Sequence, residues 1–145
     1  MSSSPVCVDA NLVIRLVVDP GDDAVKAAWD AWDADHRLIA APALITYEVT
    51  NALHRYRRAG LMSREAVRLA LRAALALPIQ LYADPELHLR AAELADELDL
   101  PAAYDAHYLA LAEWLGGELW TADLRLARAV EDRLPWVRAL GNDKT

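Results

Sequence analysis

Two aspartates in this 145-residue chain occupy positions from which they could bind a metal ion together. Asp9 directly follows the apolar run Val6–Val8, and Asp123 lies two residues beyond Thr121, which ends another short apolar run. Short apolar runs of this kind are typical of buried parallel strands. Because the carboxyl ends of parallel strands meet at one edge of a sheet, we expect both carboxylates at that edge.

Two further carboxylates are placed by helical spacing. Asp105 falls in the first turn of a helix that should begin near Ala102, and the start of this helix should lie near the same edge. Glu48 lies inside the predicted helix Leu44–Ala59, next to apolar positions one turn away, and therefore falls on or beside the buried stripe. A carboxylate that faces a core is costly unless it is paired or binds a metal.

Four converging carboxylates predict a divalent cation. Like charges raise each other's pKa, and a bound cation reverses that effect. All-oxygen ligation suits Mg²⁺ or Mn²⁺, and either ion can activate water and polarise a phosphoryl oxygen, which is the chemistry of phosphodiester hydrolysis. Thr121 could hydrogen-bond a metal-bound water or a phosphate, and Asn11 could orient Asp9 or contact a substrate.

Each of these residues also has a structural interpretation. Asp9 and Asp123 could be helix N-caps, and Asp105 could be a favourable charge at a helix N-terminus. Glu48 could be a rim residue whose stem covers apolar surface. The combination of the four is more specific than any one of them.

Alternating strands and helices predict a single α/β domain over residues 1–145, with a parallel sheet covered by helices on both faces and a free tail at 140–145. The predicted strands are Val6–Val8, Leu38–Ala41, Ile79–Tyr82, Glu118–Thr121 and Trp136–Leu140. The predicted helices span 10–18, 22–35, 44–59, 63–76, 84–98, 102–115 and 123–133, with Asp22 as the N-cap of the second.

The composition excludes several classes of function. The net charge of −7, from 22 acidic and 15 basic residues, argues against general electrostatic attraction to nucleic acid or to membranes. Only Lys26 and Lys144 are lysines, and no phosphate-binding G-x-x-x-x-G-K-[ST] motif is present. Cys7 is the single cysteine, and we see neither a signal peptide nor an apolar run long enough to span a membrane. We expect a protein of the cytoplasm.

At the acidic positions the sequence resembles the PIN-domain ribonucleases. The four segments that carry the resemblance are VDANLVI (8–14), ITYEVTNAL (45–53), YDAHYLALA (104–112) and LWTAD (119–123). Each segment contains one of the acids, in the family's order, and the likeness covers essentially the whole chain. The chain length is similar to that of the VapC toxins of bacterial and archaeal toxin–antitoxin pairs.

The resemblance implies a three-layer α/β/α sandwich with strand order 3-2-1-4-5. It also implies endoribonuclease activity with Mg²⁺ or Mn²⁺ bound by Asp9, Glu48, Asp105 and Asp123, a homodimer, and a VapB-type antitoxin as partner. Several arginines could hold RNA phosphates, although a solvated helix face is an equally good interpretation. These arginines are Arg55, Arg57, Arg58, Arg64, Arg68 and Arg72, and Arg15 could also approach the acids.

Other functions are compatible with this kind of sheet. An aspartate-nucleophile phosphatase or a receiver-like signalling domain would need a lysine near the site, and the chain has none in a suitable position. A PIN-domain nuclease of RNA processing, or a PIN-like module that only binds partners, stays open.

Overall fold

The structure, a computed structural model, describes residues 4–19, 21 and 23–140. Within these ranges the strands are β1 (Val6–Val8), β2 (Ile39–Pro42), β3 (Gln80–Tyr82), β4 (Glu118–Thr121) and β5 (Val137–Ala139). The helices are α1 (Ala10–Val18), α2 (Asp23–Ala34), α3 (Leu44–Arg58), α4 (Arg64–Ala76), α5 (Pro85–Glu97), α6 (Tyr104–Leu115) and α7 (Leu124–Val130). No helix in this part of the chain is long and apolar enough to cross a membrane.

The five strands of the described ranges form one parallel sheet in the order β3-β2-β1-β4-β5. The chain moves from β1 through β2 to β3 in one direction and then crosses back to β4 and β5. Right-handed crossovers therefore place α1 to α4 on one face and α5 to α7 on the other. Accordingly, α6 packs on β1, β2 and β4 beneath α5, while α1 packs against α3 and α4. The predicted fold class and strand order are confirmed.

The core lies between the central strands and the helices on either side. Every residue of β1 is fully buried, as expected for a central strand covered on both faces. Trp29 and Trp32 of α2 are 8% and 4% exposed and pack edge to face with ring centroids 6.1 Å apart. These tryptophans belong to the core.

Several predicted boundaries were wrong by a few residues. Helix α6 begins at Tyr104, not Ala102, and α7 ends at Val130, where a turn closed by the Arg133 N–H on the Val130 carbonyl stops it short of 133. Strand β2 includes Pro42, because a proline at a strand end need not donate to the ladder. Strand β3 is mostly exposed rather than buried, since it is the last strand of the sheet.

Two predictions fall wholly or partly outside the described residues. The proposed N-cap Asp22 and residues 141–145 of the predicted tail are not described. At position 140 the prediction of a free tail was wrong, because the Leu140 N–H donates to the Thr121 carbonyl at 2.8 Å and continues the pairing of β5 with β4.

The order of the strands creates a crevice between β1 and β4. The connections after these two neighbouring strands leave in opposite directions, so that their carboxyl ends form the topological switch point of the sheet. Asp9 follows β1 directly and Asp123 follows β4. Helices α3 and α6 bring Glu48 and Asp105 to the same region.

Candidate active site

Asp9 is the most buried carboxylate of the site and is 6% exposed. It is the N-cap of α1, where its Oδ1 accepts from the Leu12 N–H at 3.0 Å. Its Oδ2 accepts from the hydroxyl of Thr121, which is fully buried at the end of β4. Asp9 is therefore a cap and a site residue at once, and β1 and β4 together fix the direction of its carboxylate.

Glu48 is oriented by a tyrosine from the opposite helix layer. The Tyr108 hydroxyl donates to Oε1 of Glu48, and the two residues are 60 positions apart in the sequence. Tyr108 is 1% exposed, so this bond satisfies a buried phenol, while Glu48 itself is half-buried. The bond links α6 to α3 and leaves the second carboxylate oxygen of Glu48 available to a ligand.

Three of the four predicted acids line one cavity of about 220 Å³. Asp9, Glu48 and Asp105 contribute to its wall together with Tyr108. Its remaining lining consists of Ala10, Asn11, Ile14, Asn51, Ala52 and Arg55. The prediction that these acids converge on one edge of the sheet agrees with this arrangement, although their catalytic and metal-binding roles stay predictions.

Asp123 lies beside this cavity rather than in its wall. It lines a neighbouring cavity of about 420 Å³, and Asn11 belongs to the walls of both. Its Oδ1 caps α7 by accepting from the Arg125 and Leu126 N–H groups at 3.0 and 3.3 Å. Thr121 joins the two aspartates, since its hydroxyl oxygen also accepts from the Asp123 N–H at 2.8 Å.

Burial and mutual repulsion raise the pKa values of the acids in the cavity. Burial raises the pKa of Asp9 from its ordinary 3.8 to about 6; the hydrogen bond from Thr121 opposes this and the charge of Asp123 adds to it. Partial desolvation also raises the pKa of Glu48, where the Tyr108 hydrogen bond acts in the opposite direction and the charge of Asp105 in the same. The pKa of Asp105 rises through desolvation and then through the charge of Asp123.

These raised pKa values indicate that a nearby positive charge would stabilise the ionised carboxylates of the site. Buried carboxylates that repel one another are stabilised by a bound cation. In the described ranges no three Asp, Glu, His or Cys side chains stand close enough together to hold an ion on their own. Mg²⁺ commonly uses one or two carboxylates and keeps several waters, so that the oxygen donors of this cavity fit such an ion without a closed cage.

The structure separates the predicted RNA-binding arginines into two groups. Arg55 lines the acidic cavity. The others are exposed on the end of α3 or along α4 and are not among the residues that line the cavities around the acids; they are Arg57, Arg58, Arg64, Arg68 and Arg72. Arg15 and Arg125 line the neighbouring cavity beside Asp123.

Sequence reasoning missed Tyr108 and Asn51 as site residues. Tyr108 follows Asp105 by three positions, and residues three apart share a helix face. That spacing was a usable signal. Asn51 lies three positions after Glu48 and could have been found in the same way. Arg125 follows Asp123 by two positions, and its Nε lies 3.8 Å from the Asp123 Oδ1 in the wall of the neighbouring cavity.

The fold and the acidic cavity agree with the protein family that the sequence matches. Residues 6–132 match the PIN domain family, which is most of the chain, and the protein belongs to that family. Ribonuclease VapC3 of Mycobacterium tuberculosis is 37% identical to it over 126 residues, which is 86% of either chain. This identity places the chain among the VapC-type members of the family.

Solved structures have the same fold. VapBC2 from Rickettsia felis, bound to a DNA fragment from its promoter, superposes with a TM-score of 0.70 at 13% identity and covers 94% of this chain and 98% of that one. PAE2754 from Pyrobaculum aerophilum gives a TM-score of 0.67 at 28% identity, covering 88% and 80% of the two chains. A toxin–antitoxin complex from Klebsiella pneumoniae gives 0.61 at 21% identity, covering 91% and 94%.

Proposed function

We propose that the protein is a metal-dependent endoribonuclease and the toxin of a VapBC-type toxin–antitoxin pair. The observation that carries the proposal is the cavity in which Asp9, Glu48 and Asp105 meet at the switch point of a PIN-domain sheet. The similarity to a ribonuclease of the VapC type supports RNA as the substrate.

The acids have distinct parts in this proposal. Asp9 and Asp105 would hold Mg²⁺ or Mn²⁺, with Glu48 and Asp123 as the other acids that hold it directly or through water. When bound, such an ion lowers the pKa of a coordinated water and polarises the phosphate that is attacked. Thr121 keeps Asp9 pointed into the cavity, and its hydrogen bond favours the ionised carboxylate that a metal requires.

The RNA backbone needs local positive charge, because the chain as a whole carries a net charge of −7. Arg55 lines the acidic cavity and would contact the phosphate next to the cleaved bond. Arg15 and Arg125 extend this positive charge along the adjoining cavity. The arginines on α4 line neither of these cavities and would form a second zone of contact.

RNA cleavage by purified variants tests the proposal. Asp9→Asn and Asp105→Asn should each lower the rate at least about a thousandfold, which corresponds to about 4 kcal/mol of transition-state stabilisation. Asp96→Asn, an exposed aspartate on α5, is the matched control and should cleave as the wild type does. EDTA should abolish cleavage and added Mn²⁺ should restore it. Undiminished cleavage by both site variants would refute the assignment.

A VapB-type antitoxin is the proposed protein partner. Two of the superposable structures are a VapBC assembly and a toxin–antitoxin complex. The product of a short open reading frame next to this gene should copurify with the protein and inhibit its RNA cleavage. An adjacent product that neither binds nor inhibits would contradict this part of the proposal.

We also propose a homodimer and a cytoplasmic location. An apolar groove beside the exposed strand β3 suits self-association, and Leu75 and Leu81 in it are 61% and 42% exposed. Cys7 is a buried free thiol, in keeping with a reducing compartment. Sedimentation equilibrium should give twice the chain mass, and a monomer at micromolar concentration would rule the dimer out.

A further inference from the structure

A second cavity of about 310 Å³ lies along the same edge of the sheet as the acidic one. Its wall is built from the carboxyl ends of β2 and β3 and from the first turns of α3, α5 and α6. Tyr47 lines it and is the chain neighbour of Glu48, while His107 lines it two residues after Asp105. Helices α3 and α6 thus furnish walls to both cavities, and His107 is near enough to Glu48 for its charge to act on that carboxyl.

The walls of this cavity are aromatic and apolar. Tyr47 is 73% exposed. Tyr82 packs edge to face against Trp114, with ring centroids 6.0 Å apart and an angle of 83° between the ring planes. An exposed tyrosine ring next to a cleavage site is a stacking surface that every nucleobase can use. Among the described residues the lining contains no lysine or arginine and includes the carboxylate of Asp84, so it suits a neutral ring rather than a phosphate.

A histidine pair and Asp84 supply the polar part of the cavity wall. Nδ1 of His107 lies 2.8 Å from the Ala103 carbonyl oxygen, and because a carbonyl only accepts, this nitrogen carries the proton. Nε2 of His107 lies 3.0 Å from Nδ1 of His88, so the two rings share a hydrogen bond. The Asp84 carboxylate in the same wall is a hydrogen-bond acceptor.

We propose that this cavity, formed by Tyr47, Tyr82, Asp84 and the His88–His107 pair, binds an unpaired nucleobase flanking the cleaved phosphodiester and favours a base with an exocyclic amino group. Adenine, guanine and cytosine carry such an amino donor, whereas uracil does not. The cavity would therefore contribute to the sequence preference of the nuclease. This inference rests on the ribonuclease function proposed above.

Fluorescence of a bound oligonucleotide tests the inference without requiring turnover. The probe is a single-stranded oligoribonucleotide with 2-aminopurine, which has an amino group, placed at successive positions and bound to Asp105→Asn protein. Quenching should be strong at one position and should be lost when Tyr47→Leu is added. Tyr104→Leu is the matched control, because Tyr104 is 63% exposed on α6 but does not line this cavity.

Binding and cleavage measurements give the magnitudes. Loss of one stacked base should weaken oligonucleotide binding by about 5- to 100-fold, and Tyr47→Leu in the otherwise wild-type chain should raise KM more than it lowers kcat. Placing uracil at the quenched position should weaken binding about tenfold, and Asp84→Ala should remove most of that difference.

The outcomes separate this inference from the proposed function. If wild-type protein cleaves RNA and the Tyr47 and Asp84 variants bind and cleave with unchanged sequence preference, the base site is refuted while the nuclease stands. If the variants lose affinity for the antitoxin but not for RNA, a protein side chain occupies the cavity and the inference is equally wrong. Position-specific quenching with no cleavage by wild-type protein would support the base site and contradict the nuclease.

Discussion

Replacing Asp9 by asparagine should stabilise the metal-free protein while it abolishes activity. Asp9 is 6% exposed and its pKa is raised from 3.8 to about 6, mainly by burial. One pKa unit corresponds to about 1.4 kcal/mol. Keeping Asp9 ionised in the native state above pH 6 therefore lowers the free energy of unfolding by about 3 kcal/mol. Asparagine removes that cost but gives up a hydrogen bond with Thr121 worth about 1 kcal/mol, and the net gain is about 2 kcal/mol.

The sign of the pH dependence follows from the raised pKa. Between pH 3.8 and 6 the native state binds more protons at Asp9 than the unfolded state does, so the free energy of unfolding falls as pH rises through this range. In the asparagine variant this residue does not titrate, so it causes no such fall in the free energy of unfolding. The advantage of the variant over the wild type should therefore be largest at pH 7.5 and smaller by about 2 kcal/mol at pH 4.5.

Thermal unfolding with EDTA measures the effect. A gain of about 2 kcal/mol raises the Tm of a chain of this length by about 4–8 °C. Added MnCl₂ should raise the Tm of the wild type by mass action and leave that of Asp9→Asn nearly unchanged. Asp96→Asn, on the exposed side of α5, should behave as the wild type in every condition.

The opposite result would refute the reasoning. If Asp9→Asn unfolds at a lower temperature than the wild type at pH 7.5, and by the same margin at pH 4.5, then Asp9 acts as a favourable cap and not as a carboxylate held at a cost for a metal. Equal stabilisation of both proteins by MnCl₂ would place the ion elsewhere.

Three further predictions concern the surroundings of the cavity. Tyr108→Phe removes the hydrogen bond to Glu48 and should weaken Mn²⁺ binding about tenfold in a metal titration, whereas unchanged affinity would show that the bond does not position the carboxylate. Arg55→Gln should raise KM for RNA and reduce its salt dependence, while Arg68→Gln on α4 should alter KM less; the reverse order would move the RNA path onto α4. Gly117→Ala would bring a Cβ to 2.2 Å from the backbone oxygen preceding β1 and should destabilise the protein by about 1–3 kcal/mol in urea unfolding, and an unchanged midpoint would show that the strand ends move apart freely.

The sequence predicted most of the fold because its segments are locally consistent. Short apolar runs alternate with amphipathic stretches, and Pro85 and Gly116 mark a helix start and a helix end. The errors in the predicted secondary structure are confined to the ends of elements and to the burial of β3. The exposure of β3 depends on its being the last strand of the sheet, which hydrophobicity within the strand cannot reveal.

The candidate site was predictable to a different degree for each residue. Asp9 and Asp123 were found from their positions after strands, and Glu48 from its place beside an apolar helix stripe. The hydrogen bond that holds Glu48 was not found, since Tyr108 lies 60 residues away and has the pattern of a core aromatic. Arg64, Arg68 and Arg72 repeat every four residues along α4, but the acidic cavity borders Arg55 instead.

By itself the sequence determined the alternation of strands and helices, the supply of four acids and the near absence of lysine. These are local properties, set by apolar spacing, by helix-ending residues and by residue type. Only the tertiary structure decided that Asp9, Glu48 and Asp105 share one cavity, that Asp123 stands beside it, and which arginines border it. The physical reason is that packing between distant elements fixes the direction and burial of each side chain, and burial raises the pKa of the acids.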